Sequence, residues 1–193
     1  VRIGNAAAHQ LQLDIYGEII DSVYLFNKYG PGISHDAWND VTAIVDWVAD
    51  NWDRPDAGMW EIRDEPQPYT TSRLMCWVAI ERAIRIARSR GLPGDLVAWS
   101  KARDDIYDRI MTKSWNPDLQ SFTRVEGGVD LDAGLLLMPM VKFTSPADPR
   151  FLATLDAIEQ HLVTDSLVFR YEPGTDGLEG EEGTFSICSF WYV

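Results

Sequence analysis

Apolar residues recur at the spacing of an amphipathic helix through nearly the whole chain, and this periodicity constrains the fold more than any other feature. It predicts an all-α fold class, with only one or two very short strands, near Phe122 and in 167–171. Thr70 or Ser72 is the expected N-cap of the third helix, and Gly91 is its expected C-cap. The predicted helices cover about 9–28, 36–51, 70–90, 95–114, 132–143, 148–163 and the segment from 184 onwards.

The loops between these helices alternate in length. Short loops that contain Gly and Pro alternate with long loops that carry Trp, Glu, Asp and Gly. If the helices pair antiparallel around a ring, the long loops all lie at one end of it, and that end is the expected working face. No internal repeat of fixed length is visible, which argues against a regular solenoid.

Charge and composition argue against several classes of function. The formal net charge of −13 disfavours nucleic acid and anionic membranes as partners, because clustered Lys and Arg bind both; a neutral or cationic substrate fits better. No apolar run reaches the roughly 18 to 20 residues that span a bilayer. Cys76 and Cys188 lie in apolar helical patterns, which predicts buried free thiols and a cytoplasmic location. Neither belongs to a group with zinc-ligand spacing.

The loop between the second and third helices reads GMWEIRDEP over 58–66, and it places an indole beside a carboxyl group at Trp60 and Glu61. One interpretation is structural: Trp60 anchors the core and Glu61 is a solvated charge. The other is catalytic, because an apolar wall raises the pKa of a carboxyl group, as a general acid working near neutrality requires. Aromatic rings beside acids also suit sugars, whose CH faces stack on the ring while their hydroxyls bond to carboxylates.

Two further acidic segments have competing interpretations. The stretch DGLEGEEG over 176–183 offers a partner carboxylate for an acid–base pair, or it is a solvated loop that leads into the last helix. The stretch DDIYD over 104–108 matches the DDxxD pattern with which terpene-synthase-like enzymes hold magnesium and diphosphate. A solvated helix face is favoured for 104–108, because Lys101, Arg103 and Arg109 flank the acids.

Arg170 and Tyr171 follow the short apolar run LVF. Arg170 has two interpretations. It forms an ion pair with Asp165 or Glu172, or its planar donors fork onto adjacent sugar hydroxyls. The three histidines are widely separated, show no ligand spacing, and are interpreted as structural.

Four segments together resemble the bacterial branch of glycoside hydrolase family 15, which includes glucoamylases, glucodextranases and some trehalases. They cover most of the chain in the family's order, and they read VRIGNAAAHQLQLDIYGEIIDSVYL, GMWEIRDEPQPYTTSRLMCWVAIERAIRIA, DLDAGLLLMPMVKFTSPADPR and LVFRYEPGTDGLEGEEGTFSICSFW. The resemblance implies an (α/α)6 toroid of six inner and six outer helices, with a pocket at one end. It also implies inverting hydrolysis of a glycosidic bond at a non-reducing glucose, without a metal or other cofactor.

The resemblance further implies roles for individual residues. Glu61 directly follows the Trp of the family's W-E motif and falls on the general acid, while Trp60 forms part of the pocket wall. Arg170 and Tyr171 fall on the Arg-Tyr pair that binds glucose in the innermost subsite. The other substrate-binding candidates, from further loops, are Asn5, Gln10 and Glu182.

Departures from the family pattern also bear on function. Asp64 replaces the Gly most often found in the W-E-x-R-G version of the motif, which affects the expected loop geometry. The family's general base is a Glu towards the C-terminus, and it is expected beyond Val193, with Glu182 as the fallback. The toroid's first helices are also missing, so 1–193 is interpreted as a single incomplete catalytic domain with about seven of the twelve helices. Such a fragment is expected to be inactive alone and to self-associate through exposed apolar surface.

The expected partner is a glucose-containing disaccharide or oligosaccharide. Trehalose, maltooligosaccharides and dextran-type glucans are all cut within the family, and the sequence does not choose among them. One alternative is a carbohydrate-binding or assembly module that keeps the toroid without the chemistry. A less favoured alternative is a magnesium-diphosphate enzyme that uses the DDIYD segment.

Overall fold

The structure is a computed structural model that describes residues 6–172 and 183–193. These residues form seven α-helices, with short 3₁₀-helices at Ala6–His9 and Ala133–Leu136, and the predicted all-α class is confirmed. In the described ranges, no helix is both long and apolar enough to cross a bilayer. The α-helices are α1 (Asp14–Tyr29), α2 (His35–Asn51), α3 (Thr70–Arg90), α4 (Leu96–Lys113), α5 (Leu137–Met140), α6 (Pro149–Leu162) and α7 (Ser186–Tyr192).

Two antiparallel hairpins of two-residue strands lie between the helices. Both predicted strand positions are confirmed, although the second strand is shorter than its apolar run. The first hairpin docks on α6, because the Phe122 N–H donates to Thr154 Oγ1 at 3.0 Å. The strands are β1 (Trp115–Asn116) with β2 (Ser121–Phe122), and β3 (Val163–Thr164) with β4 (Leu167–Val168).

The predicted start of the first helix, near residue 9, was wrong, since α1 begins at Asp14. The Leu13 N–H donates to the Asp56 carboxylate at 2.9 Å, and the Leu11 carbonyl accepts the Ala57 N–H at 2.9 Å. Tertiary contacts therefore use backbone groups that a longer helix would need for itself.

The predicted N-cap of α3 was also wrong. The cap is Tyr69, which makes no side-chain capping bond. Thr70 Oγ1 instead donates to the Thr123 carbonyl at 2.6 Å, and Ser72 Oγ donates to a carboxylate in the preceding loop at 2.8 Å. The C-cap prediction is confirmed: Gly91 has a φ of 64°, in the left-handed region that glycine adopts without strain.

Helix α3 is the centre of the hydrophobic core and contacts α1, α2 and α4. Almost every residue from Thr70 to Ala87 is buried. Its buried charges are paired, since Arg82 bonds to Glu81 and to Asp21 in α1. The two cysteines, one in α3 and one in α7, are buried free thiols, as predicted.

The three long loops meet, as their alternation in length predicts. Backbone pairing links them in turn: Tyr69 in the first pairs with Val125 in the second, and Asp132 pairs with Tyr171 in the third. Ile62 joins Tyr69 and Tyr171 in a small apolar cluster that the loops share. We call the surface that these loops form (52–69, 114–132 and 163–172) the loop face.

Candidate active site

The turn that carries Trp60 and Glu61 has an unusual backbone. Glu61 has a φ of 53°, in the left-handed region that residues other than glycine rarely adopt. Gly58 opens the turn with a φ of 67°, and a Cβ at this position would lie 2.9 Å from the Tyr69 ring. A left-handed residue other than glycine costs about 1–3 kcal/mol, and such residues cluster at functional sites. The Glu61 side chain is exposed, so its carboxyl group is accessible on the loop face.

The segment before α1 supports this turn. Gln10 Nε2 donates to the Ile62 carbonyl at 3.0 Å, and the Ile62 N–H donates to the Ala57 carbonyl at 3.0 Å. Gln10 Oε1 is buried and has no hydrogen-bond partner among the described residues. Gln10 therefore holds the loop that carries Glu61, and its direct contact with a substrate stays a prediction.

The Trp60 ring is half-buried and packs against both the main core and the loop cluster. Its Nε1–H donates to Asp132, at 3.0 Å from each carboxylate oxygen. Phe185 and Trp191 lie 5.8 and 6.1 Å from the indole, centroid to centroid. Trp60 therefore anchors the loop face, and its role as a pocket wall beside the exposed Glu61 stays a prediction.

Arg170 lies beside Trp60, although the two are far apart in sequence. Its guanidinium carbon lies 5.6 Å from the Trp60 ring centroid and 5.3 Å from that of Phe185, within the range of cation–π contacts. Tyr171 is only 2% exposed, and the guanidinium carbons of Arg170 and Arg124 lie 5.3 and 5.4 Å from its ring. Tyr171 is thus a buried support, and its contact with a substrate stays a prediction.

Asp132 is the buried carboxylate at the centre of this group, and its role was not predicted from the sequence. Besides the Trp60 indole, it accepts the Gly134 N–H at 2.6 Å. Burial raises the pKa of Asp132 to about 6, against the lowering effect of these hydrogen bonds and of Arg124 and Arg170. Its indole partner is 72 positions away in the chain, so no local pattern indicates the contact.

Comparison with known proteins gives the family of the chain. The sequence matches glycosyl hydrolases family 15 over residues 1–193. The chain belongs to glycosyl hydrolase family 15. It is 37% identical over 193 residues to a trehalase of Thermoplasma acidophilum, and 42% identical over 195 residues to a trehalase of Mycobacterium tuberculosis. Each match takes in all of this chain but 33% and 28% of those proteins, so the chain spans about a third of the length of these relatives.

Solved structures share the fold of this family 15 chain. A glycosidase in complex with glucose gives a TM-score of 0.83 at 19% identity, over 99% of this chain and 50% of the other. A glucoamylase from Saccharomycopsis fibuligera gives a TM-score of 0.71 at 13% identity, over 94% and 46%. The likeness concerns the fold alone, and it confirms the predicted architecture, which is part of an (α/α)6 toroid.

Two more carboxylates of the family 15 chain bear on this site: Asp56 lies in the loop that carries Glu61, and Asp14 lies close to it. Asp56 is fully buried, and burial raises its pKa. Asp14 begins α1, and burial is the largest cause that raises its pKa, to about 6. The negative charges of Asp56, Glu18 and Glu61 raise the Asp14 pKa further. Neither Asp14 nor Asp56 was predicted as part of the site.

The remaining predicted residues of the family 15 chain are Asn5, Glu182 and the acids of the DDIYD segment. Asn5 and the acidic stretch 176–182, which contains Glu182, lie outside the described residues. Within the described part of the chain, no group of three His, Cys, Asp or Glu residues is arranged to hold a metal ion. Two of the three DDIYD acids on α4 pair with flanking cations, as on a solvated helix face. These ion pairs are Arg103–Asp104 and Lys101–Asp105.

Proposed function

We propose that the full-length protein is a glycoside hydrolase that cleaves an α-glucosidic bond with inversion, and that trehalose is its substrate. Membership of family 15 supports hydrolysis, and trehalases that are 36–42% identical to the chain support trehalose. These relatives are matched over about a third of their length, so the activity is proposed for the whole protein. The net charge of −13 is compatible with an uncharged sugar.

One observation carries the proposal: two segments that the resemblance singles out separately lie side by side. The turn with Trp60 and Glu61 meets Arg170 through the 5.6 Å contact between indole and guanidinium. An exposed carboxyl group, an indole and a guanidinium on one surface suit a glucose unit. They supply an acid for the glycosidic oxygen, a face for stacking and planar donors for hydroxyls.

In the proposed mechanism Glu61 donates a proton to the glycosidic oxygen as the glycosidic bond breaks. Positive charge develops at the anomeric carbon, in an oxocarbenium-like transition state. A second carboxylate takes a proton from water, which attacks the opposite face of the sugar and inverts its configuration. In inverting enzymes the two carboxyl groups are about 6.5–9.5 Å apart. We place the base beyond Val193, with Glu182 as the fallback.

Three narrower statements belong to the same proposal. Residues 1–193 are one incomplete catalytic domain, and alone they have little or no activity, because general-base assistance contributes about 10²–10⁴-fold to the rate.

The two free thiols support a cytoplasmic location. The isolated chain self-associates, which is supported by exposed apolar side chains on α1 and α7. These are Ile15, Ile19, Phe26, Ile187 and Phe190.

The test follows the anomers released from trehalose, maltose and isomaltose by proton NMR, with full-length protein. Inversion releases one β-glucose and one α-glucose from trehalose, whereas retention releases two α-glucose molecules. We expect β-glucose from trehalose, with turnover lost in Glu61→Gln while saccharide binding persists. Glu65→Gln is the matched control, because Glu65 is an exposed acid in the same loop.

Each other outcome has a distinct meaning. If Glu61→Gln keeps more than about a tenth of the turnover, Glu61 is not the acid, since loss of an acid costs at least about 10²-fold. Release of α-glucose alone would contradict inversion. If no sugar is hydrolysed, a carbohydrate-binding module becomes the better account of the fold.

A further inference from the structure

Asp132 connects the two segments of the loop face that carry Trp60 and Arg170. Its carboxylate accepts the Trp60 indole N–H, at 3.0 Å from both oxygens. Its backbone pairs with Tyr171, and the next residue, Ala133, donates its N–H to the Arg170 carbonyl at 2.8 Å. One buried residue therefore fixes both the indole and the backbone of the Arg-Tyr pair.

The Asp132 carboxylate has little freedom to move. The side chain is fully buried, and the Gly134 N–H donates to its Oδ1 at 2.6 Å. A Cβ at Gly134 would lie 2.6 Å from Thr71 Cγ2 and 3.0 Å from Met59 Sδ. This segment is thus packed between the first turn of α3 and the residue before Trp60. Asp132 gives the indole a rigid partner.

The contacts of Asp132 suit a carboxylate and not an amide. Both oxygens accept hydrogen bonds from N–H donors. An asparagine in its place would turn an NH₂ group, which cannot accept, towards one of these donors. Although burial raises the pKa of Asp132 to about 6, the group is ionised at neutral pH, and Arg124 and Arg170 favour that form.

We propose that Asp132 is a positioning residue for saccharide binding, which holds the Trp60 ring at the angle at which the ring and Arg170 together bind a glucose unit. This inference rests on the proposed function, which assigns Trp60 and Arg170 to glucose binding. Asp132 is too deeply buried to touch the sugar itself. Its loss therefore acts through Trp60, chiefly on KM, and leaves Glu61 in place as the proton donor.

The experiment is a double-mutant cycle in full-length protein, with trehalose as substrate and glucose as a binding probe. Its variants are Asp132→Asn, Trp60→Phe and the double variant. Trp60→Phe keeps an aromatic ring and removes the donor to Asp132. Each single variant is expected to raise KM about 10- to 100-fold, as for loss of a hydrogen bond to a charged group, with a smaller change in kcat. In the Trp60→Phe background, Asp132→Asn adds little, because its partner is already gone.

A spectroscopic measurement separates positioning from a general loss of structure. The chain has eight tryptophans, and the difference between the emission of the parent and of Trp60→Phe isolates the Trp60 component. Asp132→Asn is expected to shift that component. Asp36→Asn is the matched control, since Asp36 is an exposed acid in the first turn of α2, outside the loop face, and it leaves KM and emission unchanged.

The outcomes are distinguishable. Suppose that the parent is active and that Asp132→Asn has the parent's KM and Trp60 emission. This inference alone is then overturned, and the proposed function stands. Full additivity of the two substitutions in the double variant has the same meaning. If Asp132→Asn does not fold, an unchanged KM in Trp60→Phe overturns it equally. If the parent binds glucose without hydrolysing trehalose, the proposed hydrolysis fails. The inference is then decided by measuring the glucose dissociation constants of the same four proteins in the double-mutant cycle. A parent that neither binds nor hydrolyses these sugars overturns both.

Discussion

Ser72 Oγ donates a hydrogen bond of 2.8 Å to Asp56 Oδ2, and the same oxygen accepts the Leu13 N–H at 2.9 Å. The two donors lie at the starts of α3 and α1, while Asp56 lies in the loop that carries Glu61. Asp56 is fully buried. A single carboxylate thus ties the candidate acid's loop to two helices of the core.

Ser72→Ala is expected to destabilise the protein by about 1–3 kcal/mol, because it removes a hydrogen bond to a buried carboxylate. The free energy of unfolding is measured by chemical denaturation. Ser22→Ala is the matched control: Ser22 is an exposed helical serine that donates to the Glu18 carbonyl, and its loss is expected to change stability by less than about 0.5 kcal/mol. Equal effects of the two substitutions would contradict the role given to Asp56.

Glu61→Gly is expected to be more stable than Glu61→Ala, by about 1 kcal/mol, although both lack the candidate acid. Glycine adopts a φ of 53° without strain, whereas alanine does not. Thermal unfolding of the two variants measures the difference. Gln120, with a φ of 51° in an exposed turn, provides the control pair Gln120→Gly and Gln120→Ala. That pair is expected to show a similar stability difference with no effect on turnover. Equal stabilities of Glu61→Gly and Glu61→Ala would mean that the backbone of this turn leaves the left-handed region when the side chain is changed.

Periodicity was sufficient for the longer helices but not for their ends. The helix predicted over 132–143 was wrong, because this segment forms a 3₁₀-helix at Ala133–Leu136 followed by a single α-helical turn at Leu137–Met140. The apolar spacing predicts α2 and α4 closely, because their buried faces are set by residues three and four apart. At the start of α1 the Leu13 backbone N–H donates to the Asp56 carboxylate, and at the start of α3 the Thr70 hydroxyl donates to the Thr123 carbonyl. Both acceptors are distant in sequence. Such contacts leave no local signal.

The same distinction applies to the candidate site. Trp60, Glu61 and Arg170 were predicted because each stands in a short motif that the family resemblance carries. Asp132 stands in a recognisable segment too, but only the fold shows that its carboxylate meets the Trp60 indole. A buried polar residue is identified by its partner, and the partner here comes from another long loop.

Asp14→Asn is expected to stabilise the protein at neutral pH and to have no effect near pH 4. Burial raises the pKa of Asp14 to about 6 in the folded state, against about 3.9 when unfolded. Between these values the folded state keeps a proton that the unfolded state loses, so this group's contribution to stability falls as pH rises through the window. The loss of folding stability caused by ionising buried Asp14 is complete above pH 6 and amounts to about 1–3 kcal/mol.

Denaturation of the parent and Asp14→Asn at about pH 4 and pH 7.5 measures this difference, in the window that the two pKa values set. The nearby acids Asp56, Glu18 and Glu61 are present in both proteins, so the difference between the two reports the titration of Asp14 together with its coupling to these acids. Asp36→Asn, at an exposed acid in the first turn of α2, serves as the control for the loss of one negative charge. A stability difference that is independent of pH would contradict the raised pKa.

Arg73→Lys is expected to destabilise the protein strongly, by about 2–5 kcal/mol, because a buried fork of donors is replaced by a single ammonium. Arg73 is fully buried and donates to the carbonyls of Trp52, Asp53 and Arg54, at the end of α2. Those three carbonyls begin the loop that carries Glu61, so the substitution is also expected to lower turnover of trehalose. Arg88→Lys, on the exposed side of α3, is the matched control in denaturation and in the activity assay. A lysine variant with the parent's stability would show that the carbonyls need only a positive charge, and not the guanidinium fork.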